Sequence, residues 1–376
     1  MPGGSPTIVH LINTLSSIGG AERLVLDLAT HSPAQPTQVI TWTTSDTSLL
    51  KSAPAGVLDV IALRPFSMRA ARRAWNAIRQ ADIVHVHLSP SQFIGSLLPN
   101  TTVFTQHNSW NRRRAFPIAR QVDRLSYYTY DAVVGVSDAV AANLTDWVAP
   151  TRLGIRTIVN GIDRSRFSRK ARRWPCARGR VVKIGMAARF GSTKDHRTLI
   201  TAMCSLPENH HLLLAGAGPL EARLKDLVER LGLVSRVHFL GLVSDMAGFY
   251  DRIDVYVQSS RYDGFSLVAA EAMASGVPVI ASDIEGLRDT IGRSDFLFEP
   301  GNPEALVARL VPLIESRAEY ESASRYSIER SRAFDIVQTA AQYQRLYAEL
   351  LALRSGGSVA ENLPHYADHM VEVPMP

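Results

Sequence analysis

At 376 residues the chain is long for one core and natural for two domains, and its 46% apolar and 20% charged residues exclude the disordered and fibrous classes. The two cysteines, Cys176 and Cys204, are too few for a disulfide framework and lack metal-ligand spacing, which fits a reducing cytoplasm. The net charge is +6, and residues 1–165, with 15 Lys and Arg against 10 Asp and Glu, carry +5 of it.

The run Thr7 to Leu15 reads as a first strand, followed by a turn through Gly19-Gly20-Ala21-Glu22 into a helix with Leu24, Val25, Leu28 and Ala29 at helical spacing. A glycine pair between strand and helix lets the backbone come close to a phosphate, though the three-glycine spacing of a dinucleotide fingerprint is absent. Strands are predicted at Thr37 to Thr43 and Val57 to Leu63. Residues 67–80 then form a basic amphipathic helix with Met68, Ala71, Trp75 and Ile78 on one stripe. Arg64, Arg69, Arg72, Arg73 and Arg79 lie here without an acid, and Arg112-Arg113-Arg114 follow. Such clusters either favour an anionic partner or form a solvated face.

Ile83 to Leu88 and Thr102 to Gln106 read as buried strands. His85 and His87 alternate within the first of these and are read as structural residues on opposite faces. His107 follows the second directly and is either a strand-end histidine bonded to backbone or a ligand-facing group. Strands at Asp131 to Val136 and Ile155 to Val159 complete the half, the latter closed by the turn signal Asn160-Gly161. Alternating strands and helices argue for a doubly wound parallel sheet with ligands at its carboxyl ends. An Arg-rich stretch without apolar period, 166–180, is placed as a basic linker between a domain of residues 1–165 and a second of residues 181–335.

The second domain opens with Val181 to Ala187, after which Arg189 and Lys194 stand in a strand-to-helix loop where two cations can clamp a diphosphate. His211 to Ala215 runs into Gly216, and Val237 to Leu240 into Gly241-Leu242. Asp254 to Gln258 leads to the densest stretch, Arg261-Tyr262-Asp263-Gly264-Phe265-Ser266, then an Ala-rich helix from Leu267 to Ser275, a Gly276 C-cap and a strand from Val277 to Ala281. Ser266 is the expected N-cap, which leaves the amides of Leu267 and Val268 facing outward, where the helix dipole favours an anion. Glu271, among alanines on a buried helix, requires a fixed partner, an Arg in the plainest reading. After Leu297-Phe298, two helices are expected, the second from Phe334 to Leu353, and residues 355–376 form a polar tail.

Asp263, Gly264-Phe265, Glu271 eight residues on, and then Ala272-Met273-Ala274 with Gly276 and Pro278-Val279-Ile280 resemble the signature of retaining GT-B glycosyltransferases, glycosyltransferase family 4 (glycosyl transferases group 1). Gly19-Gly20-Ala21-Glu22, Asn160-Gly161-Ile162-Asp163 and the Arg189/Lys194 pair resemble further motifs of that family. Two departures stand out: Asp263 where the family usually has Glu, and Lys194-Asp195 where it has Lys-Gly.

The resemblance implies an α/β GT-B fold of two Rossmann-like domains facing across a cleft, with a C-terminal helix, residues 336–354, returning to brace the first. It implies a nucleotide-diphosphate sugar, of UDP or GDP type and UDP favoured, as donor substrate with no further cofactor. Asp263 and the amides of Gly264, Phe265 and Ser266 would meet the sugar, Leu267 and Val268 the diphosphate, and Glu271 the ribose hydroxyls. Gly19, Gly20, Arg189 and Lys194 would lie by the phosphates, and Gly216 and Leu242 by the nucleotide. His107, Asp263, Arg189 and Lys194 are the expected catalytic set, with His107 facing the reaction centre. No Asp-x-Asp pair or ligand-spaced His/carboxylate cluster points to a metal.

The expected activity is metal-independent, retaining hexosyl transfer to a glycan or polyprenyl-diphosphate-linked acceptor for surface polysaccharide, lipopolysaccharide or capsule. A non-hydrolysing sugar-nucleotide epimerase of the same fold is the alternative. A nucleic-acid binder is disfavoured, since no basic and aromatic interleaving is found. No early stretch reads as a secretion signal and no run approaches about 20 apolar residues. The expected location is therefore cytoplasmic, with peripheral attachment to the inner face of the membrane through the basic first domain.

Overall fold

Short β-branched runs flanked by helices form two parallel sheets. The computed structural model describes residues 6–15, 19–32, 37–43, 56–63, 67–109, 114, 116–148, 154–167, 170–172, 174–175 and 180–355. The first sheet comprises β1 (Ile8–Ile12), β2 (Thr37–Thr41), β3 (Leu58–Ala62), β4 (Ile83–His87), β5 (Thr101–Gln106), β6 (Ala132–Gly135) and β7 (Ile155–Thr157), in the order β3-β2-β1-β4-β5-β6-β7. The second comprises β8 (Val182–Ala187), β9 (His210–Ala215), β10 (Val237–Gly241), β11 (Val255–Gln258), β12 (Val279–Ser282) and β13 (Leu297–Phe298), in the order β10-β9-β8-β11-β12-β13. Each order reverses direction once, between β1 and β4 and between β8 and β11. These are the switch points at which doubly wound sheets open a crevice for ligands. The central strands β1, β4 and β5 are buried along their whole length, as strands covered on both faces must be.

The returning helix Ile336–Arg354 lies on the first domain, not the second. Its Ala340, Tyr343, Leu346, Tyr347 and Leu350 share a core with Ile8, Leu24, Leu28, Ile83 and Val103. Arg156 donates two hydrogen bonds to the carboxylate of Glu349 at 2.6 and 2.5 Å. Entry to this helix depends on Gly161, because a Cβ there would stand 2.5 Å from Thr339 Oγ1 and 2.6 Å from Ile336 Cα. The Asn-Gly turn is thus also a point of close backbone approach.

Three sequence expectations need correction or extension. Among the described residues after 301 there are three α-helices rather than two, Pro303–Glu315, Arg317–Ser331 and Ile336–Arg354. The middle one buries Tyr320, Ala323, Ser324 and Ser327, so it carries little apolar period to read. In the helix Met68–Gln80 the buried residues are Ala74, Ala77 and Ile78, whereas Met68 and Trp75 are 75% and 53% exposed. Small alanines let the helix lie close to the sheet, so Ile78 of the stripe packs inward beside them while Met68 and Trp75 face outward. The described part of the linker is anchored, with the Arg172 guanidinium donating to the carbonyls of Ser275 and Tyr250. Arg64, Arg112, Arg113, Cys176 and the tail beyond residue 355 lie outside the described residues.

Candidate active site

The helix Leu267–Ala274 begins at Ser266, whose hydroxyl accepts from the Ala269 amide, and ends where Gly276 takes φ +73° and its amide bonds to the Met273 carbonyl. Both predicted caps therefore form. The amides of Leu267 and Val268 are left outside the intrahelical ladder, as the first turn of any helix requires.

Immediately before this start, the turn Asp263-Gly264 is held by contacts from distant parts of the chain. Lys194 Nζ lies 2.5 Å from Asp263 Oδ2, and Gln258 Nε2 donates to the same oxygen at 3.3 Å. Gln258 is itself oriented by the Tyr256 hydroxyl, which donates to its Oε1 at 2.7 Å. The loop carrying Lys194 is tied down by the amide of Arg261 bonding to Thr193 O and that of Asp195 to Ser259 O, both at 2.9 Å. Asp195, where the family has Gly, caps the helix His196–Ala202 by accepting from the Thr198 amide. Arg189 is exposed, and its guanidinium makes no ion pair or hydrogen bond among the described residues. The two predicted cations are thus engaged differently: one is pinned to a carboxylate and one is free for a ligand.

Glu271 is buried, and its partner is a tyrosine rather than the arginine that the plainest reading suggested. Tyr250 Oη lies 2.9 Å from both Glu271 Oε2 and the Val268 carbonyl. Burial pushes the Glu271 carboxyl up to about 6, against the opposing pull of the Tyr250 hydroxyl and the charges of Arg166 and Arg23. It keeps a proton more readily than an ordinary glutamate, but is ionised above neutrality.

The first domain closes over this turn. A Cβ on Gly264 would stand 2.3 Å from the His107 carbonyl oxygen, Ser137 Oγ donates to Gly264 O at 2.8 Å, and Ser109 Oγ donates to Asp263 O at 3.4 Å. From the same domain, a Cβ on Gly20 would meet Leu267 Cδ1 at 3.3 Å, while the Glu22 carboxylate folds over Gly19. Gly20, His107, Lys194, Asp263, Gly264 and Leu267 therefore meet, with Gly19 adjoining them in the chain, although up to 247 positions separate them. Gly216 takes φ +137° where any Cβ would collide with Ala188 O, which lets the end of β9 approach the loop that carries Arg189. Leu242 is exposed at the end of β10. Phe265 is buried against Phe334, so its side chain braces the turn and only its backbone is left for a ligand. Ser109, Ser137, Tyr250 and Gln258 were not singled out in the sequence: the first three act on partners 154, 127 and 21 positions away, and Gln258, five residues from Asp263, reads simply as the end of a buried strand.

The expectation that His85 and His87 point to opposite faces is overturned. Residues two apart on a strand share a face, and the two rings are 4.1 Å apart between centroids. With His10 they bring ring nitrogens within 4.8 Å of one another, a spacing open to a metal ion. Both nitrogens of His85 and both of His87 are, however, already hydrogen-bonded to protein groups. His107, whose Nε2 is 3.2 Å from His87 Nδ1, is held neutral by burial, its pKa lowered to about 3.

Comparison with known proteins accords with this arrangement. The family model described as Glycosyltransferase Family 4 matches residues 18–166, and that described as Glycosyl transferases group 1 matches residues 175–330. The lipopolysaccharide core biosynthesis mannosyltransferase LpsB of Rhizobium meliloti is 27% identical over 304 residues, 74% of this chain and 80% of that one. The glycogen synthase of Mycobacterium tuberculosis is 25% identical over 279 residues, and the match spans 69% of this chain and 65% of the relative. Among solved structures, Anabaena HepE in complex with UDP and glucose superposes with a TM-score of 0.78 at 20% identity, covering 91% of this chain and 99% of that one. With a family match on each of its two domains and the cleft geometry that joins them, the chain belongs to glycosyltransferase family 4 and is a glycosyltransferase of the GT-B fold.

Proposed function

We propose that the protein transfers a hexose from a UDP-sugar, without a metal ion and with retention of anomeric configuration, to a hydroxyl of a glycan or polyprenyl-diphosphate-linked acceptor in surface polysaccharide synthesis. The observation that carries this reading is the convergence of Gly20, His107, Lys194 and Asp263 on the start of the helix Leu267–Ala274. Arg189, Lys194 and the amides of Leu267 and Val268 would neutralise charge developing on the departing diphosphate, the task a divalent cation performs elsewhere. Glu271 would accept from the ribose hydroxyls. Asp263, held by Lys194 and Gln258, acts as a fixed acceptor for sugar hydroxyls rather than as a covalent nucleophile, and the acceptor hydroxyl enters from the face that the diphosphate leaves. The UDP found with HepE supports a uridine donor, while the mannosyl activity in the name of LpsB makes GDP-mannose the competitor to test.

Thermal melting against a panel of nucleotides checks this. UDP at about 100 times its Kd should stabilise the fold by about 2.7 kcal/mol, raise the melting temperature by a few degrees and do so equally in EDTA. A larger shift with GDP reverses the donor assignment. A shift abolished by EDTA removes metal independence, and no shift with any nucleotide removes the donor site.

The acceptor side of the reading extends to a lipid surface. The helices Met68–Gln80 and Pro117–Tyr128 cover the same face of the first sheet, sharing a core through Ala74, Ala77, Tyr127 and Phe104. Outward they present Met68 and Trp75 beside Arg69 and Arg72, and a second stripe in which Ile118 and Leu125 are each 73% exposed beside Arg124. Apolar residues ringed by arginine suit the interface of an anionic bilayer. Among the described residues no helix is long and apolar enough to cross a membrane. At low salt the protein should sediment with phosphatidylglycerol-containing vesicles and not with neutral ones. Neutralising Arg69, Arg72 and Arg73 as glutamines should weaken this about 100-fold, at roughly 1 kcal/mol per charge. Protein left in solution with both vesicle types would sink the membrane proposal.

A further inference from the structure

Beneath His107 lies a row of histidines that the reading of the site does not use. His107 Nε2 is 3.2 Å from His87 Nδ1, and His87 Nε2 is 3.1 Å from His10 Nδ1. His10, His85 and His87 are all buried. Beside this row, His85 is hydrogen-bonded to Thr105 Oγ1 at 2.7 Å and to Tyr347 Oη at 2.6 Å, and Thr105 Oγ1 to Tyr343 Oη at 3.0 Å. The two tyrosines belong to the returning helix, so the C-terminal segment forms the wall against which the histidines are set.

The chemistry of imidazole restricts what such a row can do. A neutral ring has one N–H and one bare nitrogen, so each nitrogen-to-nitrogen link takes one donor and one acceptor. Three neutral rings in series therefore have only two arrangements, with every shared proton directed toward His107 or every one away from it. In the first, His107 carries its own proton on Nδ1 and offers a donor to the cleft. In the second it offers a bare acceptor. A charged ring would break the series, and burial keeps all of them neutral, with His10 lowered to about 4 and His85 and His87 held well below their ordinary value.

We propose that His87 and His10 are positioning residues for His107, fixing the ring plane and the single tautomer in which its Nδ1 meets the donor sugar. Geometry alone limits the row to those two series; that one of them is held is what the spectrum tests, and its effect on turnover rests on the transferase reading given above. His85 and the Tyr343–Tyr347 wall hold His87 from the side, since the His85 and His87 rings are in contact.

The test is nitrogen-15 NMR of the full chain labelled at histidine, together with initial rates. In the wild type His107 should show one neutral tautomer across pH 6–8, a range well above its lowered pKa of about 3. His87→Leu removes the link, so His107 should become a mixture of tautomers and kcat should fall about 10-fold or more with donor KM nearly unchanged, as expected when a preorganised group loses its support. His87→Asn keeps a short polar group at the same place and should restore most of both signals. Should His87→Leu fail to fold, His10→Asn probes the far link and should broaden the His87 and His107 signals together. Tautomer exchange at His107 in the wild type, or an unchanged spectrum and rate in the folded His87→Leu variant, overturns the proposal. A single tautomer in a protein that turns over no sugar-nucleotide would instead overturn the transferase reading and leave the histidine row standing.

Discussion

Replacing Arg189 and Lys194 together by alanine is expected to lower kcat/KM by about 1,000-fold or more, since removing one preorganised charge-stabilising donor commonly costs about 100-fold to 1,000-fold. The two single variants should differ in kind. Arg189 is exposed and unpaired among the described residues, so Arg189→Ala should reduce activity and leave the melting temperature unchanged. Lys194 is mostly buried against Asp263, and Lys194→Ala strands that carboxylate. It should therefore lower stability, by about 1–3 kcal/mol, as well as activity. Initial rates and thermal melts of the three variants check both halves. A double variant that retains a tenth of the wild-type kcat/KM would rule out the clamp, and a loss of stability in Arg189→Ala would show that it has a structural partner.

Glu271→Gln should make the protein more stable and a worse enzyme. The Glu271 carboxyl is raised from an ordinary 4.5 to about 6 in the folded state, chiefly by burial. A raised carboxyl pKa means that the fold disfavours the charged form, so ionised Glu271 destabilises the protein above pH 6 and the penalty disappears as pH falls toward 4.5. At about 1.4 kcal/mol per pH unit the penalty at pH 7.5 is about 2 kcal/mol. Glutamine removes the charge and keeps an acceptor for the Tyr250 hydroxyl, so the melting temperature should rise by a few degrees at pH 7.5 and hardly at all at pH 4.5. Donor KM should increase about 10-fold to 100-fold, the worth of a charge-assisted hydrogen bond to the ribose. The wild-type donor KM should likewise rise as pH falls through about 6. A variant that is no more stable at pH 7.5, or that binds donor normally, would contradict the assignment of Glu271 as the buried ribose acceptor.

The local pieces of the site were legible because their causes are local. Ser266 caps a helix that begins one residue later, Gly276 ends it with a positive φ, and Gly19-Gly20 opens the helix Gly20–Thr30. The helix Arg317–Ser331 escaped notice because its buried face is serine, alanine and tyrosine. Ser324 and Tyr320 are satisfied there by the carbonyls of Gly276 and Asp254, which are remote in sequence and leave no apolar period to read. The outward turn of Met68 and Trp75 was hidden for a related reason: a helical stripe of apolar residues tells that a face is distinctive, but not which neighbour covers it.

The sequence by itself determined the two alternating strand-helix halves, the family, and the residue types at the ends of the strands, since each rests on periodicity or on a motif spanning a few turns. Only the tertiary structure decided that Lys194 faces Asp263, that Tyr250 rather than an arginine holds Glu271, and that His10, His85, His87 and His107 line up beneath the cleft. The order of strands sets those pairings. Parallel register places His10 beside His85 and His87 beside Thr105, and closure of one domain on the other brings His107 to Gly264. Contacts between residues 18 to 157 positions apart depend on where the sheets carry them, and no local spacing encodes that.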